Sequence, residues 1–578
     1  MKKISTLLLA AVATFACANA ETSISYQWSH AVDGQVAAMD NVVAAVSDEL
    51  GSAYVVTSFG SNSSSPYVYF DGATIIGTDG YAIEGSTGSS NNNNILIQKV
   101  DIATGEVAWF GYTCKGYVEP SYVSLAVTSD GGAVVAVDTR TFVATDGYDN
   151  LLEYVDATGR VSTIKDMWAA KQEYRFLLLK LTADGELDWT RLIAGDPQID
   201  DDTTLNQNFY VNSIVVDGDD NIYVAGNFRS TLNFKNSDGT VTTLTAVNNT
   251  DPTLTYYGDL YLAKLDSDGY YSASLVADGT ASYEVIDNLA YNNGKIYFNG
   301  RVMGDGSSIT IGETSITAGS DFRHTIVGSV NTSDLSVNYV NLITSVANSS
   351  SKFDAQNKNA QYIDGTVYFT GSVNGGLASA DGTTVYFETG ATQLRGYVLA
   401  IDAESGDVKG ASYNSTTGIS NYFGVYVTDS SVLAHGYNMS TPAAILDEYS
   451  TDDYSLTNSI SICTYGTVAL CGRPCIYGDY FLMMNRGGKN SSTVTASFYD
   501  TEDTFDLYSW SAVYYCYKIG DDDSGVSSAA VDNNISTNQN VYSTNGILIK
   551  ESDNFSDAKA GLANGVYVIG NQKVLINE

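Results

Sequence analysis

Two acidic stretches are the first candidates for chemistry. Asp217-Gly218-Asp219-Asp220-Asn221 and Asp266-Ser267-Asp268-Gly269 place carboxylates at alternating positions. Calcium takes roughly six to eight oxygens, several of them from one short loop. Asp217, Asp219, Asn221, Asp266 and Asp268 are therefore the candidate metal ligands, and calcium is the only cofactor the sequence suggests. Neither stretch is followed by the bidentate glutamate that closes an EF-hand, and both stand where a β-hairpin needs Asp and Gly in any case. Turn formation is the preferred reading and calcium the alternative.

Other reactive groups are scattered. His30, His324 and His435 lie far apart in the chain. There is no Gly-x-Ser-x-Gly elbow, His-Glu-x-x-His helix or phosphate-binding loop. Glycoside hydrolysis needs two carboxylates at a set separation, and 66 acidic residues give no way to nominate a pair. No catalytic residue is assigned. Cys463, Cys471 and Cys475 cluster without a nearby histidine, which points to buried or paired thiols rather than zinc. Trp28, Trp109 and Trp189 recur at one repeat position. Exposed, they would stack on sugars; recurrence favours packing between repeats.

These residues must be positioned by strands. Prolines number 6, glycines 53 and tyrosines 42 in 578 residues, a composition of an all-β, turn-rich chain. Net charge is −38, which disfavours nucleic acid and anionic membranes. Lys2 and Lys3, the apolar Leu7–Ala16 and Ala18-Asn19-Ala20 read as a signal peptide over 1–20. Removing it takes Cys17 and leaves an odd number of cysteines, Cys114 and Cys516 with the cluster. No later segment is apolar enough to span a membrane as a helix. The mature chain is expected to be exported, and to act at the cell surface or outside the cell.

The stretch Phe176–Phe228 sets the pattern. Phe176–Leu181, the turn Thr182–Gly185, Glu186–Ile193, Val211–Val216, the turn Asp217–Asn221 and Ile222–Gly226 read as antiparallel strands joined by hairpins. The apolar strand recurs at Ile95–Val100, Leu260–Leu265, Thr325–Val330, Tyr397–Ile401, Ala443–Leu446 and Val494–Tyr499. The hairpin recurs from Ala44–Val56 to Cys475–Leu482, and several copies end on Gly226, Gly300, Gly371 or Gly436. Such a glycine suits a positive φ or a close approach. Hairpins lead at the N-terminus and the apolar strand comes last. A linear stack would leave unpaired edges. A ring in which the first hairpin and the last strand complete one blade would not. The sequence thus predicts a seven-bladed β-propeller over 21–519, with extra outer strands in Leu232–Leu244, Ile309–Ile316 and Val385–Thr392; a tandem β-sandwich array is the alternative.

Leu179-Lys180-Leu181, Gly185, Trp189, Val216-Asp217 and Asn221–Gly226 resemble the bacterial β-propeller repeat. That resemblance implies a scaffold and no catalytic residues. A polar linker is expected over 520–540. Beyond it, Val541–Lys550 and Leu562–Ile576 resemble the C-terminal sorting domain of the type IX secretion system of Bacteroidota. The resemblance implies a small β domain over 541–578 that engages a secretion machinery, although the chain ends on Asn577-Glu578 rather than on a basic residue. The functional expectation is a binding module for a glycan or protein ligand, contacted through the Asn/Ser/Thr/Tyr-rich segments Gly60–Asn94 and Ser230–Gly258. The alternative is a secreted glycoside hydrolase or lyase with a carboxylate pair at the channel.

Overall fold

The computed structural model describes residues 22–34, 41–61, 68–71, 73–76, 92–114, 117–140, 152–164, 174–195, 209–247, 258–279, 283–303, 306, 308–318, 323–346, 356–390, 393–416, 418–440, 443–464, 470–501, 504–520, 541–543, 548–550, 565–569 and 572–576. The expected leader and residues 521–540 of the expected linker lie outside them. Among the described residues the regular elements are strands, and none is a helix. The chain divides into two compact units, Met1–Gly520 and Asp521–Glu578.

The first unit is a β-propeller of antiparallel sheets. Phe176–Phe228 straddles a seam between two of them. Tyr174–Leu181 and Leu187–Ala194 are the third and fourth strands of one four-strand core, and Phe209–Val216 and Ile222–Phe228 are the first two of the next. Second and third strands are covered on both faces by neighbouring blades, so they read as unbroken apolar runs. Ile222–Phe228 and Thr366–Val373 are buried at every position. The outermost strands have one face in water, and Leu456–Thr464 alternates accordingly.

The expectation of seven blade sheets is corrected: hydrogen bonding divides the strands into eight sheets. Three features account for the difference. The C-terminal unit has a sheet of its own. The short sheet Asp278–Gly279, Ser308–Ile311, Thr314–Thr317 stands apart. Leu456–Thr464 is joined through Cys463 and Thr464 to Phe498 and Ser497, which fuses two strand groups into one eleven-stranded sheet.

The ring closes through N- and C-terminal strands, as expected, but not through the two that the sequence nominated. The strand that pairs with the N-terminus is Thr504–Ile519, not Val494–Tyr499, and its partner is Ile24–Gly34, not the hairpin Ala44–Val56. Ile24 faces Ile519 and Val32 faces Ala512. Val494–Phe498 is instead the far end of the long strand Tyr480–Phe498, and it turns back through a hairpin into the closing strand.

The predicted extra outer strands follow one rule. Each is a hairpin inserted between the second and third strands of a blade, and it pairs with the outermost strand of the blade before it or, for Ser308–Ile311, with the short strand just after that one. Val68–Phe70 pairs with Ile24–Gly34, Glu153–Val155 with Val107–Cys114, Thr231–Lys235 with Leu187–Ala194, Ser308–Ile311 with Asp278–Gly279, and Gly376–Ala378 with Val337–Ser345. Every such hairpin covers part of an edge that would otherwise be open to another chain.

The repeated tryptophans join blades. Trp28 Nε1 donates to the Ile102 carbonyl at 2.8 Å, and Trp109 Nε1 to the Ala183 carbonyl at 2.9 Å. The Trp109 ring lies on the turn at Gly185, where φ is +83° and a Cβ would sit 2.7 Å from the ring. Trp189 packs in the same way against the turn at Gly269. Of the two readings of these rings, the seams use the packing one.

The second unit is a four-stranded antiparallel sheet in the order Leu548–Lys550, Val541–Ser543, Gly565–Ile569, Gln572–Ile576.

Candidate functional site

The first strands of the blades surround a central channel of about 890 Å³. It opens on the face that carries the short hairpin turns. Its wall is built from Asn41–Ser47, Tyr117–Val127, Phe209–Val216, Tyr283–Asn292, Gln356–Ile363, Ser420–Val427 and the segment 473–478. Neighbouring inner strands are tied by one or two hydrogen bonds from a side chain to the facing backbone. Ser124 Oγ accepts from Ile214 N at 3.0 Å, Ser213 Oγ from Leu289 N at 3.1 Å, and Gln361 Oε1 from Val425 N at 2.7 Å.

Most of these inner strands contain a β-bulge. Val211 faces Gly226 and Ser213 faces Ala225, which leaves Asn212 as the extra residue. Asp287, Lys358 and Phe423 occupy the same position in their strands, opposite Gly300, Gly371 and Gly436. The glycine is there for the bulge: a Cβ on Gly226 would lie 2.0 Å from the Tyr210 carbonyl. None of these glycines has a positive φ, so close approach is the reason and an unusual dihedral is not. A bulge re-aims one side chain, and the re-aimed residues meet. Lys358 Nζ lies 5.9 Å from the centre of the Phe423 ring, within range of a cation–π contact. Asn212 Nδ2 donates to the Ile286 carbonyl at 3.0 Å.

The last blade supplies its inner position differently. Gly472-Arg473-Pro474 runs parallel to Asn41–Ser47, with Ala45 N donating to the Arg473 carbonyl at 2.8 Å and Arg473 N donating to the Val43 carbonyl at 3.1 Å. Pro474 has no N–H to offer a further ladder bond. A Cβ on Gly472 would meet Met484 Sδ at 2.4 Å, so glycine lets this segment lie close to Tyr480–Phe498. Arg473 Nη2 then donates to the Asn212 carbonyl at 3.1 Å. That contact skips the inner strands Asn41–Ser47 and Tyr117–Val127, so the guanidinium crosses the channel. Burial lowers it to about 10, and the Asp287 carboxylate opposes that drop; it is a cation at neutral pH. Asp287 itself is taken: Arg301 Nε and Nη2 donate to it at 2.8 and 2.6 Å, and Asn357 Nδ2 at 3.0 Å.

The mouth is aromatic. Tyr291, Tyr362, Tyr426 and Tyr477 line it, with Ile363, Val427 and the exposed Leu50. Tyr291 Oη accepts from Gly218 N at 3.2 Å, and Tyr426 Oη donates to the Gly478 carbonyl at 3.1 Å. The carboxylates at the mouth serve turns. Asp48 Oδ1 accepts from Leu50 N and Ser52 N at 2.9 and 2.8 Å, and Oδ2 lies 3.4 Å from Lys99. Glu49 is raised by desolvation and by Asp48.

The calcium candidates lie on this face, in two turns of one sheet. Asp217 Oδ1 accepts from the N–H groups of Asp219 and Asn221 at 3.0 and 2.9 Å. Its Oδ2 accepts from Asn221 Nδ2 at 2.9 Å and from the Tyr223 hydroxyl at 2.8 Å. Asp266 Oδ1 accepts from Asp268 N and Tyr270 N at 3.1 and 2.8 Å. These lone pairs hold the turns together. Among the described residues no group of three or more His, Cys, Asp or Glu is placed to hold a metal.

The remaining titratable groups are structural or lie elsewhere. His30 bonds Asp71 and the Gly105 carbonyl, each at 2.7 Å. His324 Nδ1 accepts from Ser345 N at 3.0 Å. Buried His435 is lowered to about 4 by desolvation. Cys114, Cys463, Cys471, Cys475 and Cys516 are buried free thiols. Glu284 lies at the far end of its inner strand, on the face of the long connections, and its backbone N–H donates to the Gly258 carbonyl at 3.1 Å. Burial, with Asp259 and Asp278 adding like charge, pushes its carboxyl up to about 8. The described parts of the two segments expected to be recognition loops include the edge-covering hairpins Val68–Phe70/Ala73–Ile76 and Thr231–Lys235/Val241–Thr245. Residues 62–67, 77–91 and 248–257 lie outside the described residues.

No protein-family model matches the chain, and no curated protein matches it. Among solved structures it is similar to quinohemoprotein alcohol dehydrogenase from Comamonas testosteroni, with 10% identity, coverage of 86% of this chain and 76% of that one, and a TM-score of 0.38. It is also similar to a single-substitution variant of the Synechocystis apocarotenoid oxygenase, with 11% identity, coverage of 76% and 94%, and a TM-score of 0.32. A third similar structure is dihydro-heme d1 dehydrogenase NirN in complex with DHE, with 12% identity, coverage of 74% and 75%, and a TM-score of 0.30. None of these likenesses transfers an activity to this chain.

Proposed function

We propose that this protein is an exported β-propeller, secreted or held at the cell surface, that works as a binding module for a glycan or protein ligand. The observation that carries this reading is the channel mouth, where Tyr291, Tyr362, Tyr426 and Tyr477 form an aromatic rim. Tyrosine offers a large, stiff contact face with a polar tip, which suits recognition. Asp48 and Asp217 at the same mouth have their oxygens occupied by turn N–H groups and by neighbouring side chains. A general acid and base working as a pair would need those lone pairs. The channel volume also falls in the range of ligand sites, roughly 300 to 1,000 Å³.

The resemblance of 541–576 to the type IX sorting domain supports an export route of the Bacteroidota kind. The tail would then be an address read by a secretion machinery, separate from the ligand site. Deletion of 541–578 in the native host should abolish secretion or surface display; unchanged display would remove this part of the reading.

Glu49 is the one observation that favours the hydrolase or lyase alternative, since a carboxyl raised by desolvation is the property of a general acid. Glycan and protein arrays probed with the purified chain, beside a polysaccharide and peptide hydrolysis screen, separate the two. Ligand capture without turnover is expected. Turnover abolished by Glu49→Gln would replace the binding reading with the enzymatic one.

A further inference from the structure

Arg473 is built into the channel at some structural cost. It is a half-buried cation whose one side-chain hydrogen bond among the described residues runs to the Asn212 carbonyl. A guanidinium has five N–H donors in a planar fork, so donors remain. Asp287 does not take them up, because Arg301 grips that carboxylate with two bonds and Asn357 adds a third. Lys358, the cation at a bulge position, faces the Phe423 ring. Arg473 also lines the cavity rather than packing behind its wall.

We propose that the channel binds a carboxylate carried on an aromatic or apolar body, with the carboxylate against Arg473 and the body between the inner-strand walls and the tyrosine rim. A planar carboxylate matches the guanidinium fork in two parallel bonds. The inner strands at Leu125, Ile214, Leu289 and Ala360 bury these side chains in the blade cores and set no charged group on the wall there, which suits a body without charge. The acidic mouth, with Asp48, Glu49 and Asp217, and the net charge of −38 select against compact multivalent anions such as phosphate. A monoanion whose apolar body supplies most of the binding free energy pays less for passing them. This inference rests on the reading of the channel as a ligand site, and it adds the chemical class.

The test uses the full mature chain and two probes of one shape, 3-phenylpropionate and 3-phenylpropanamide. Binding is measured by calorimetry and by quenching of tyrosine fluorescence. Unaltered protein should bind the acid at least about tenfold more tightly than the amide, because only the acid completes the ion pair. Arg473→Met should remove that preference. Arg473→Lys should keep part of it, since charge remains and the fork is lost. The comparison on unaltered protein needs no variant, so it stands even if Arg473→Met fails to fold. Equal binding of acid and amide overturns the carboxylate assignment and leaves the channel as a ligand site. So does a preference that survives in folded Arg473→Met. Binding of neither probe overturns the assignment, and ligand capture on the arrays then decides separately whether the binding reading stands.

Discussion

The seams between the early blades and the seam that closes the ring share one joint, but the closing seam adds to it. At an early seam the joint is a stereotyped piece: Trp109 lies on the turn at Gly185 and donates to the Ala183 carbonyl. The same piece serves Trp28 at Ile102 and Trp189 at Gly269. The closing blade carries that piece as well, because Trp28 sits on its last strand, and it adds two features found nowhere else among the described residues. Ile24–Gly34 is threaded beside Thr504–Ile519 as the last strand of the final blade, and Gly472-Arg473-Pro474 stands in for part of an inner strand. Joints made once per blade can be small and interchangeable. The joint made once per molecule must take up whatever mismatch the others leave, and that is where the unusual residue sits.

Four changes would break or sharpen this contrast. The largest effect is expected from deleting Ile24–Gly34. The Thr504–Ile519 edge is then open, the ring is no longer a closed cooperative body, and a loss of several kcal/mol is expected. Calorimetry should show a broad early transition in place of one sharp one; an unchanged profile would mean that closure contributes little.

Next is Asp287→Ala. It leaves Arg301 without its carboxylate and Asn357 Nδ2 with the Gly300 carbonyl alone in a buried setting, and removal of one partner from a buried pair costs about 3 to 5 kcal/mol. The urea midpoint should fall accordingly. A shift within error would show that water replaces the carboxylate.

The third change concerns pH at the seam that holds Glu284. Its folded value of about 8 lies above the ordinary 4.5. The stability it contributes is therefore fully present below pH 4.5 and is lost as pH rises through 8. The loss is on the order of 3 kcal/mol by pH 9. Buried His435, lowered to about 4, acts in the opposite sense: its contribution is full above pH 6.5 and is lost as pH falls through 4. Glu284→Gln should raise the urea midpoint at pH 8.5 and change it little at pH 4.5. Equal effects at both pH values would refute the assignment.

The smallest effect is expected from Gly185→Ala. A methyl group would sit 2.7 Å from the Trp109 ring at a positive φ, a cost of about 2 kcal/mol. Melting-temperature shifts for Gly185→Ala and for the same change at Gly269 should agree to within a few degrees if the seams are interchangeable.

Much of the scaffold was legible because the repeat is written in residue types that act locally. Ile222–Phe228 and Thr366–Val373 announce strands covered on both faces, and Asp/Gly turns mark where they reverse. The glycines at 226, 300, 371 and 436 stood out as well, but their meaning depended on a partner strand. They mark bulges, and so they point to Asn212, Asp287, Lys358 and Phe423 across the ladder. The sheet count was not legible, because Cys463 and Phe498 pair across a fold that periodicity cannot see. Arg473 was missed for a related reason. It lies in a segment that breaks the apolar pattern of the hairpin copies, and breaks in a repeat look like decay until the ring shows what fills the gap. The calcium candidates were visible as acids, yet whether their oxygens face a cation or a turn depends on neighbours two and four residues on.

The pairing of Ile24–Val32 with Ala512–Ile519 also fixes an order of events. A chain that emerges N-terminus first presents one half of its clasp at the outset and the other half almost at the end. In the interval the early blades can fold against one another through their Trp–Gly joints, but the first strand has only its short pairing with Val68–Phe70 and lacks its long partner. Bringing together segments so distant in sequence is the slow, entropy-limited step of such a topology. A partly emerged chain is thus an open arc with adhesive ends, exposed to premature pairing with another copy. Completion is signalled by the last strand alone, so the molecule becomes resistant to unravelling only when nearly all of it has been delivered.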